Sequence, residues 1–212
     1  FYGEKAFSGE AALSVRGTLT LKVSGPAGRL TAKAALQTGN LSFSAKTWTS
    51  TEADGSFRAV LAGKGGETFD LRVRQGRIWG TLSNGSLGSE TLALDGGRNP
   101  FADSADAGAP ALLESFKGYY TVALPLAEAG VSASGEVGAA PQGAGYLTVT
   151  VGNKGSAKIA GVLADGTQVS RSSRLILFDG CGPEACVPFF APLYAKKGWA
   201  GGLLWIDPET RT

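Results

Sequence analysis

The clearest pattern along the chain is an alternation of polar and apolar residues over short stretches. Residues 18–23 (Thr-Leu-Thr-Leu-Lys-Val) and 146–151 (Tyr-Leu-Thr-Val-Thr-Val) both alternate in this way. A period of two is typical of a β-strand with one buried face. Further strands are predicted over residues 11–15, 29–36, 41–48, 57–62, 68–74, 77–82, 119–124, 156–163, 168–178, 187–191 and 199–206.

Turn-forming dipeptides separate these predicted strands. They are Asp54-Gly55, Asn84-Gly85, Asp95-Gly96, Asp165-Gly166 and Asp179-Gly180. Asn, Asp and Gly tolerate the positive φ angles that hairpin turns need. Short strands separated by such turns indicate an all-β sandwich or barrel. We expect a short helix only over residues 107–116, where Pro110 lies near the start.

The second half of the chain repeats the first. Residues 17–23 match residues 145–151, and residues 28–39 match residues 155–166. A third match joins residues 76–82 to residues 198–204, so the three offsets are 128, 127 and 122 residues. Similar offsets in the same order indicate an internal duplication. We therefore predict two related antiparallel halves, barrel-like or sandwich-like, with about six strands each.

A segment poor in strand signals separates the two halves. It contains Asp95-Gly-Gly-Arg-Asn-Pro-Phe101 and a stretch of small residues over 103–110, which is typical of a linker. Its apolar residues, which we expect to pack against the halves, are Leu92, Leu94, Phe101, Leu112, Leu113 and Phe116. The predicted organisation is a first β half over 1–83, a linker with a short helix over 84–117, and a second β half over 118–212.

Composition narrows the classes of function. Charged residues make up 18% of the chain and the net charge is +2, which gives no basic face for nucleic acid. Histidine is absent, so the usual general base and the commonest metal ligand are missing, and we expect no metal or cofactor. No run of 18 apolar residues could form a membrane-spanning helix. Since methionine is also absent, we expect a processed product or a part of a longer protein.

The two cysteines, Cys181 and Cys186, enclose a Gly-Pro turn. A disulfide between them would close a small ring and stabilise the fold by roughly 2 kcal/mol. Free thiols are the alternative, while a metal site or redox dithiol is disfavoured because two thiolates do not complete a zinc site and redox motifs have closer spacing. A structural disulfide would place the chain in an oxidising compartment.

Several motifs resemble a β-rich module of very large secreted or cell-surface proteins of environmental bacteria. They are Gly118-Tyr-Tyr-Thr-Val-Ala-Leu-Pro125, Pro141-Gln-Gly-Ala-Gly-Tyr-Leu-Thr-Val-Thr-Val151, Gly161-Val-Leu-Ala-Asp-Gly-Thr167 and Pro192-Leu-Tyr-Ala-Lys-Lys-Gly198, with Gly97-Arg-Asn-Pro-Phe101 before them. The resemblance covers about half of the chain directly and carries no assigned catalytic residues. It implies an extracellular or cell-surface bacterial module without enzymatic activity.

Aromatic residues are the best candidates for ligand contact. Exposed rings on a β-rich module can stack on sugars, whereas buried rings fill the core. The candidate ligand face consists of Trp199, Trp205, Tyr119, Tyr120 and Tyr194. Four of the eight Asp residues lie in the predicted Asp-Gly turns, which explains them without catalysis.

The predicted function is a non-catalytic structural or adhesive module outside the cell. Strands with few charges and Thr- and Ser-rich outer faces suit lateral packing, as in a subunit of a surface layer or appendage, with exposed edges that could pair with another chain. The expected partners are neighbouring domains of a longer chain or other copies of this chain. Carbohydrate binding through the aromatic residues is the alternative, and an enzyme of unknown type is the third.

Overall fold

The computed structural model describes six stretches of the chain, and β-strands dominate them. The stretches are residues 7–13, 16–24, 28–102, 108–125, 143–177 and 185–209. The first nine strands are β1 Phe7–Leu13, β2 Gly17–Ser24, β3 Arg29–Leu36, β4 Asn40–Ala45, β5 Ser50–Thr51, β6 Phe57–Ala62, β7 Glu67–Arg74, β8 Arg77–Asn84 and β9 Thr91–Arg98. Helix α1 Ala109–Phe116 follows, and then β10 Gly118–Leu124, β11 Gly145–Val151, β12 Ser156–Val162, β13 Gln168–Arg174, β14 Ala185–Leu193 and β15 Gly198–Ile206. The prediction of an all-β fold is confirmed.

The first half is a single nine-stranded antiparallel sheet that folds back on itself. Its strand order is β4-β3-β2-β1-β9-β8-β7-β6-β5. Phe43 on β4 packs against Phe69 on β7, with ring centroids 5.4 Å apart, so that distant parts of the sheet face each other. Both side chains belong to one hydrophobic core. Because β4 and β5 remain the two outer strands among the described residues, the sandwich-like form of the prediction fits and the closed barrel does not.

The second half has a four-stranded sheet and a separate hairpin. The sheet order is β10-β11-β12-β13, and β14 pairs with β15. A bridge between Ile176 and Cys186 connects the end of the sheet to the hairpin. The core-facing residues Leu147, Val149 and Ile159 alternate with more exposed ones, as the sequence pattern predicted. A second hydrophobic cluster forms here, with Phe101 as its first member.

Strand pairing in the two halves follows the internal duplication. The first match places β2 on β11, and the second places β3 on β12. In the first half, Leu19 pairs with Ala34. In the second half, their sequence equivalents Leu147 and Gly161 pair with each other. Because a one-residue slip would turn every buried side chain outward, this shared register shows that the halves are built alike.

The segment assigned to the linker contains a strand of the first sheet. β9 lies between β1 and β8 and pairs with both. Leu92 and Leu94 point into the first core, while Gly96 and Gly97 weaken the strand signal in the sequence. The first core extends to Leu94, and the second begins at Phe101.

Helix α1 lies where the sequence predicted a short helix. Pro110 occupies its first turn, where the missing N–H costs no hydrogen bond. Leu113 and Phe116 bury one face of the helix in the second core. No helix in the described parts of the chain has the length and apolar character needed to cross a membrane.

The two halves are in contact. Arg98 at the end of β9 forms a bridge with Leu177, and β14 lies against β1 and β2. The Gln37 side-chain amide also donates a hydrogen bond to the Lys196 carbonyl, at 2.8 Å. β14 is buried almost throughout because it packs on both the second core and the first half.

Candidate functional site

The five predicted ligand-face residues do not form one surface. Tyr120 faces the second core and is 2% exposed. Its hydroxyl donates to the main-chain carbonyl of Phe116 at 2.7 Å, which satisfies the buried polar tip. Tyr120 therefore belongs to the core. Neighbouring positions on a strand point to opposite faces, so the sequence alone indicates that Tyr119 and Tyr120 face opposite sides of the sheet. It does not indicate which of the two faces the core.

Tyr119 lies on the exposed face of β10 together with Tyr146 on β11. Tyr119 is 66% exposed, and Tyr146 is also exposed. The register pairs Tyr119 with Thr150 and Ala123 with Tyr146, which places the two tyrosines on the same face. They are four residues apart along the ladder, or about 13 Å. That distance is too long for both rings to contact one sugar ring.

Tyr194 has a structural role in a tight turn between β14 and β15. Its hydroxyl donates a hydrogen bond to the Asp165 carboxylate, which also accepts from the Thr167 main-chain N–H and hydroxyl. The bond from Tyr194 is the main reason that the pKa of Asp165 is lowered, and the same bond raises the pKa of Tyr194. Gly198 lies beneath the ring, where an added Cβ would come within 2.6 Å of Tyr194 Cδ2.

Trp199 and Trp205 share the outer face of β15. Ala200 and Leu204 alternate with them and pack on the second core. The two tryptophans are six residues apart, or about 20 Å, with Leu203 between them. Trp205 is 48% exposed, and Trp199 is partly buried. Of the five predicted residues, only these two share one face of a strand, and at that separation both rings cannot contact one sugar ring.

An apolar surface surrounds the two tryptophans. Trp199 lies opposite Pro192, Leu203 opposite Pro188 and Trp205 opposite Cys186, and Phe190 lies opposite Gly201. We call this set the hairpin outer face: Trp199, Leu203, Trp205, Pro188, Phe190 and Pro192. The β14 members are largely buried, whereas the β15 members remain partly open to solvent.

The equivalent face in the first half is polar except for Trp79 on β8. The third sequence match aligns Arg77 with Trp199 and Thr81 with Leu203, and its offset of 122, continued by one residue, places Ser83 at the position of Trp205. On the neighbouring strand β7, the outward residues include Asp70, Arg72 and Arg74. The two related hairpins therefore differ in surface chemistry. The outer face of β7 and β8 is mostly polar, whereas the outer face of β14 and β15 is apolar.

A shallow polar pocket lies on the first half beside Trp79. Its lining is Asp54, Arg74, Gln75, Arg77 and Trp79. The Arg77 guanidinium lies over the Trp79 ring, 5.9 Å from the centroid, and its Nε is 3.4 Å from an Asp95 carboxylate oxygen. A hydrogen bond from the Ser56 side chain is the main cause of the lowered pKa of Asp54. Sequence analysis missed this pocket because Asp54 was assigned to a turn.

Metal and thiol chemistry find little support in the described residues. No group of three or more Cys, Asp or Glu side chains there has the arrangement of a metal site. Cys186 is buried at the start of β14. Cys181 lies outside the described residues, so the disulfide between them stays a prediction.

Comparisons with protein-family models, curated proteins and solved structures found no match to this chain.

Proposed function

We propose that this chain is a non-catalytic structural or adhesive module that acts outside the cell. It would hold neighbouring domains of a longer chain or other copies of itself through apolar contact. The β15 side of the hairpin outer face carries this proposal, because the partly exposed Trp199, Leu203 and Trp205 lie where the equivalent strand β8 has Arg77, Thr81 and Ser83. Exposed apolar surface of this kind is typical of protein interaction sites.

The chemistry of this face suits a protein partner. Tryptophan is prominent in the energetic centres of protein interfaces, since a single ring buries 150–250 Å² or so. The outer face of β15 carries no charged side chain between Trp199 and Trp205, so a partner would desolvate no ion there. An apolar partner surface could bury Trp205 without that cost.

The extracellular location rests on two features of the sequence. The glycine and strand motifs resemble modules of secreted and cell-surface bacterial proteins. The predicted Cys181–Cys186 pair would persist only in an oxidising compartment. Mass spectrometry of the non-reduced chain tests the second feature, since a disulfide lowers the mass by about 2 Da relative to the dithiol. A dithiol in protein isolated from its native source would contradict it.

Self-association tests the assembly part of the proposal. Sedimentation velocity over a concentration series should show that the wild-type chain forms oligomers. The Trp205→Ser variant should associate more weakly and form oligomers only at higher concentration. Tyr119→Ser is the matched control, because it removes an even more exposed ring from a different face. The proposal fails in this respect if the chain stays monomeric throughout, or if both variants weaken association equally.

Carbohydrate binding is the second candidate. Trp205 and Tyr119 expose large ring areas, and the pocket beside Trp79 combines a ring with charged hydrogen-bonding groups. Pull-down on insoluble polysaccharides distinguishes this candidate from the first. Saturable binding that is lost in Trp199→Ala, Trp205→Ala or Trp79→Ala would replace the purely structural proposal.

A further inference from the structure

The pocket beside Trp79 lies on the outer face of the first half, next to the turn between β7 and β8. The strand register places Arg74 opposite Arg77 and Arg72 opposite Trp79. The pocket has a volume of about 500 Å³, within the ~300–1,000 Å³ range of small-molecule sites. The third sequence match aligns Trp79 with Gly201, so β15 has no ring at the equivalent position.

The arginine side chains at this pocket are poorly paired within the described residues. Arg74 approaches a carboxylate oxygen only to 4.0 Å, which is beyond hydrogen-bonding distance. Arg77 donates from Nε at the long distance of 3.4 Å, and the buried Nε of Arg72 has no hydrogen-bond partner. By contrast, Arg58 on the same face donates from two nitrogens to Asp70, at 2.9 and 2.7 Å. Because a guanidinium carries five N–H groups, Arg74 and Arg77 have donors left for a ligand.

Positive charge exceeds negative charge around the pocket. Three guanidinium groups, those of Arg72, Arg74 and Arg77, face the two carboxylates of Asp54 and Asp95. One Asp54 oxygen already accepts two hydrogen bonds within its own turn. Guanidinium groups bind carboxylates through two parallel hydrogen bonds. The charge and geometry of the pocket therefore favour a ligand that carries a carboxylate.

The other lining groups suit a sugar as the carrier of that carboxylate. Trp79 is half-buried and offers apolar ring surface to the C–H groups of a sugar. Asp54 can accept a hydrogen bond from a sugar hydroxyl, and the Gln75 amide can both donate and accept. A simple anion would be repelled by Asp54, and a neutral sugar would leave the excess guanidinium charge without a counterion.

We propose that the pocket beside Trp79 binds a carboxylate-bearing sugar residue of an acidic polysaccharide. Arg74 and Arg77 hold the carboxylate, and Trp79 packs against the sugar ring. The inference rests on the proposed adhesive function, and it gives the carbohydrate-binding candidate a ligand class and a site. The ligand would bind to the first half, whereas the hairpin outer face belongs to the second.

Hexamers of galacturonic acid and of mannuronic acid are the probes. Each is titrated into the full chain in an isothermal titration calorimeter at low ionic strength. We expect saturable binding of at least one hexamer, which weakens as sodium chloride is added because salt screens exposed charges. The methyl-esterified galacturonic acid hexamer keeps the rings without the charge, and hexaglutamate keeps the charges without the rings. Both should bind about tenfold more weakly than the acidic sugar.

Variants locate the binding site. Arg74→Gln and Trp79→Ala should each weaken binding of the acidic hexamer about tenfold, since each removes one of the two main contacts. Arg171→Gln is the matched control, because it removes the same charge from an exposed position on β13. It should bind like the wild type. Circular dichroism spectra and thermal melts show whether the three variants remain folded.

Three results would overturn the inference. They are no binding of either acidic hexamer at millimolar concentration, equal binding of the methyl ester or of hexaglutamate, or equal weakening by folded Arg74→Gln and Arg171→Gln. Sedimentation velocity separates this inference from the assembly proposal. A chain that associates but binds neither hexamer refutes the acidic-sugar site alone, and a chain that binds a hexamer but stays monomeric refutes self-assembly alone.

Discussion

Leu82 and Leu204 occupy equivalent positions in the two halves, so truncating each to alanine measures how completely each core is closed. Leu82 is fully buried, and removing its side chain should lower the free energy of unfolding of the first half by about 3 kcal/mol, within the ~2–5 kcal/mol range of buried leucines. Leu204 is partly buried. Its truncation should cost roughly half as much, about 1.5 kcal/mol, because less apolar area leaves water when the second half folds.

Urea unfolding followed by tryptophan fluorescence gives both values. Trp48 packs against the first core and Trp79 lies on β8, whereas Trp199 and Trp205 lie on β15. Replacing either pair with phenylalanine leaves reporters for one half only. The urea concentration at the midpoint of unfolding should fall in each variant. The slope of the free energy of unfolding against urea concentration should stay constant, as expected for a change in native stability.

Equal losses for Leu82→Ala and Leu204→Ala would refute this reasoning. That outcome would mean that the second core is as closed as the first, which contradicts the burial difference.

Three further predictions concern local contacts. Tyr120→Phe removes a buried hydrogen bond to the last carbonyl of α1 and should cost about 1 kcal/mol in urea unfolding; no loss would show that the bond contributes nothing. Gly198→Ala should lower the melting temperature by displacing the Tyr194 ring, whereas Gly202→Ala should not; equal effects would contradict the contact geometry. Glu67 is buried, its carboxylate accepts hydrogen bonds from the neighbouring loops, and its pKa is lowered, chiefly by a main-chain hydrogen bond. Its stabilisation is complete above its usual value of 4.5 and is lost as pH falls through the folded pKa, so melting temperatures should fall less on acidification in Glu67→Gln than in the wild type.

Local patterns predicted most of the described strands and helix α1. Alternation identified β2, β3, β11 and β12 because each has one face in the core and one in solvent. β9 was not predicted because Asp and Gly are uncommon in strands, and they occupy positions Asp95, Gly96 and Gly97. Pairing with β1 and β8 on both sides overrides that local preference.

The candidate site was predicted only in part. Trp199 and Trp205 were identified as candidates, and the strand β15 that they share places them on one face because they are six residues apart. Tyr120 was assigned to the same ligand face, although it lies in the core. The contrast between the apolar and polar hairpins required the pairing register, because β14 supplies half of the apolar residues.

The sequence by itself determined that this chain is all-β, antiparallel and internally duplicated, since those properties follow from a period of two, from turn dipeptides and from ordered matches. Only the tertiary structure decided where β9 lies and which aromatic residues are buried. These depend on contacts between residues far apart in the chain. The same local sequence can face a core or solvent, and its neighbours in space determine which.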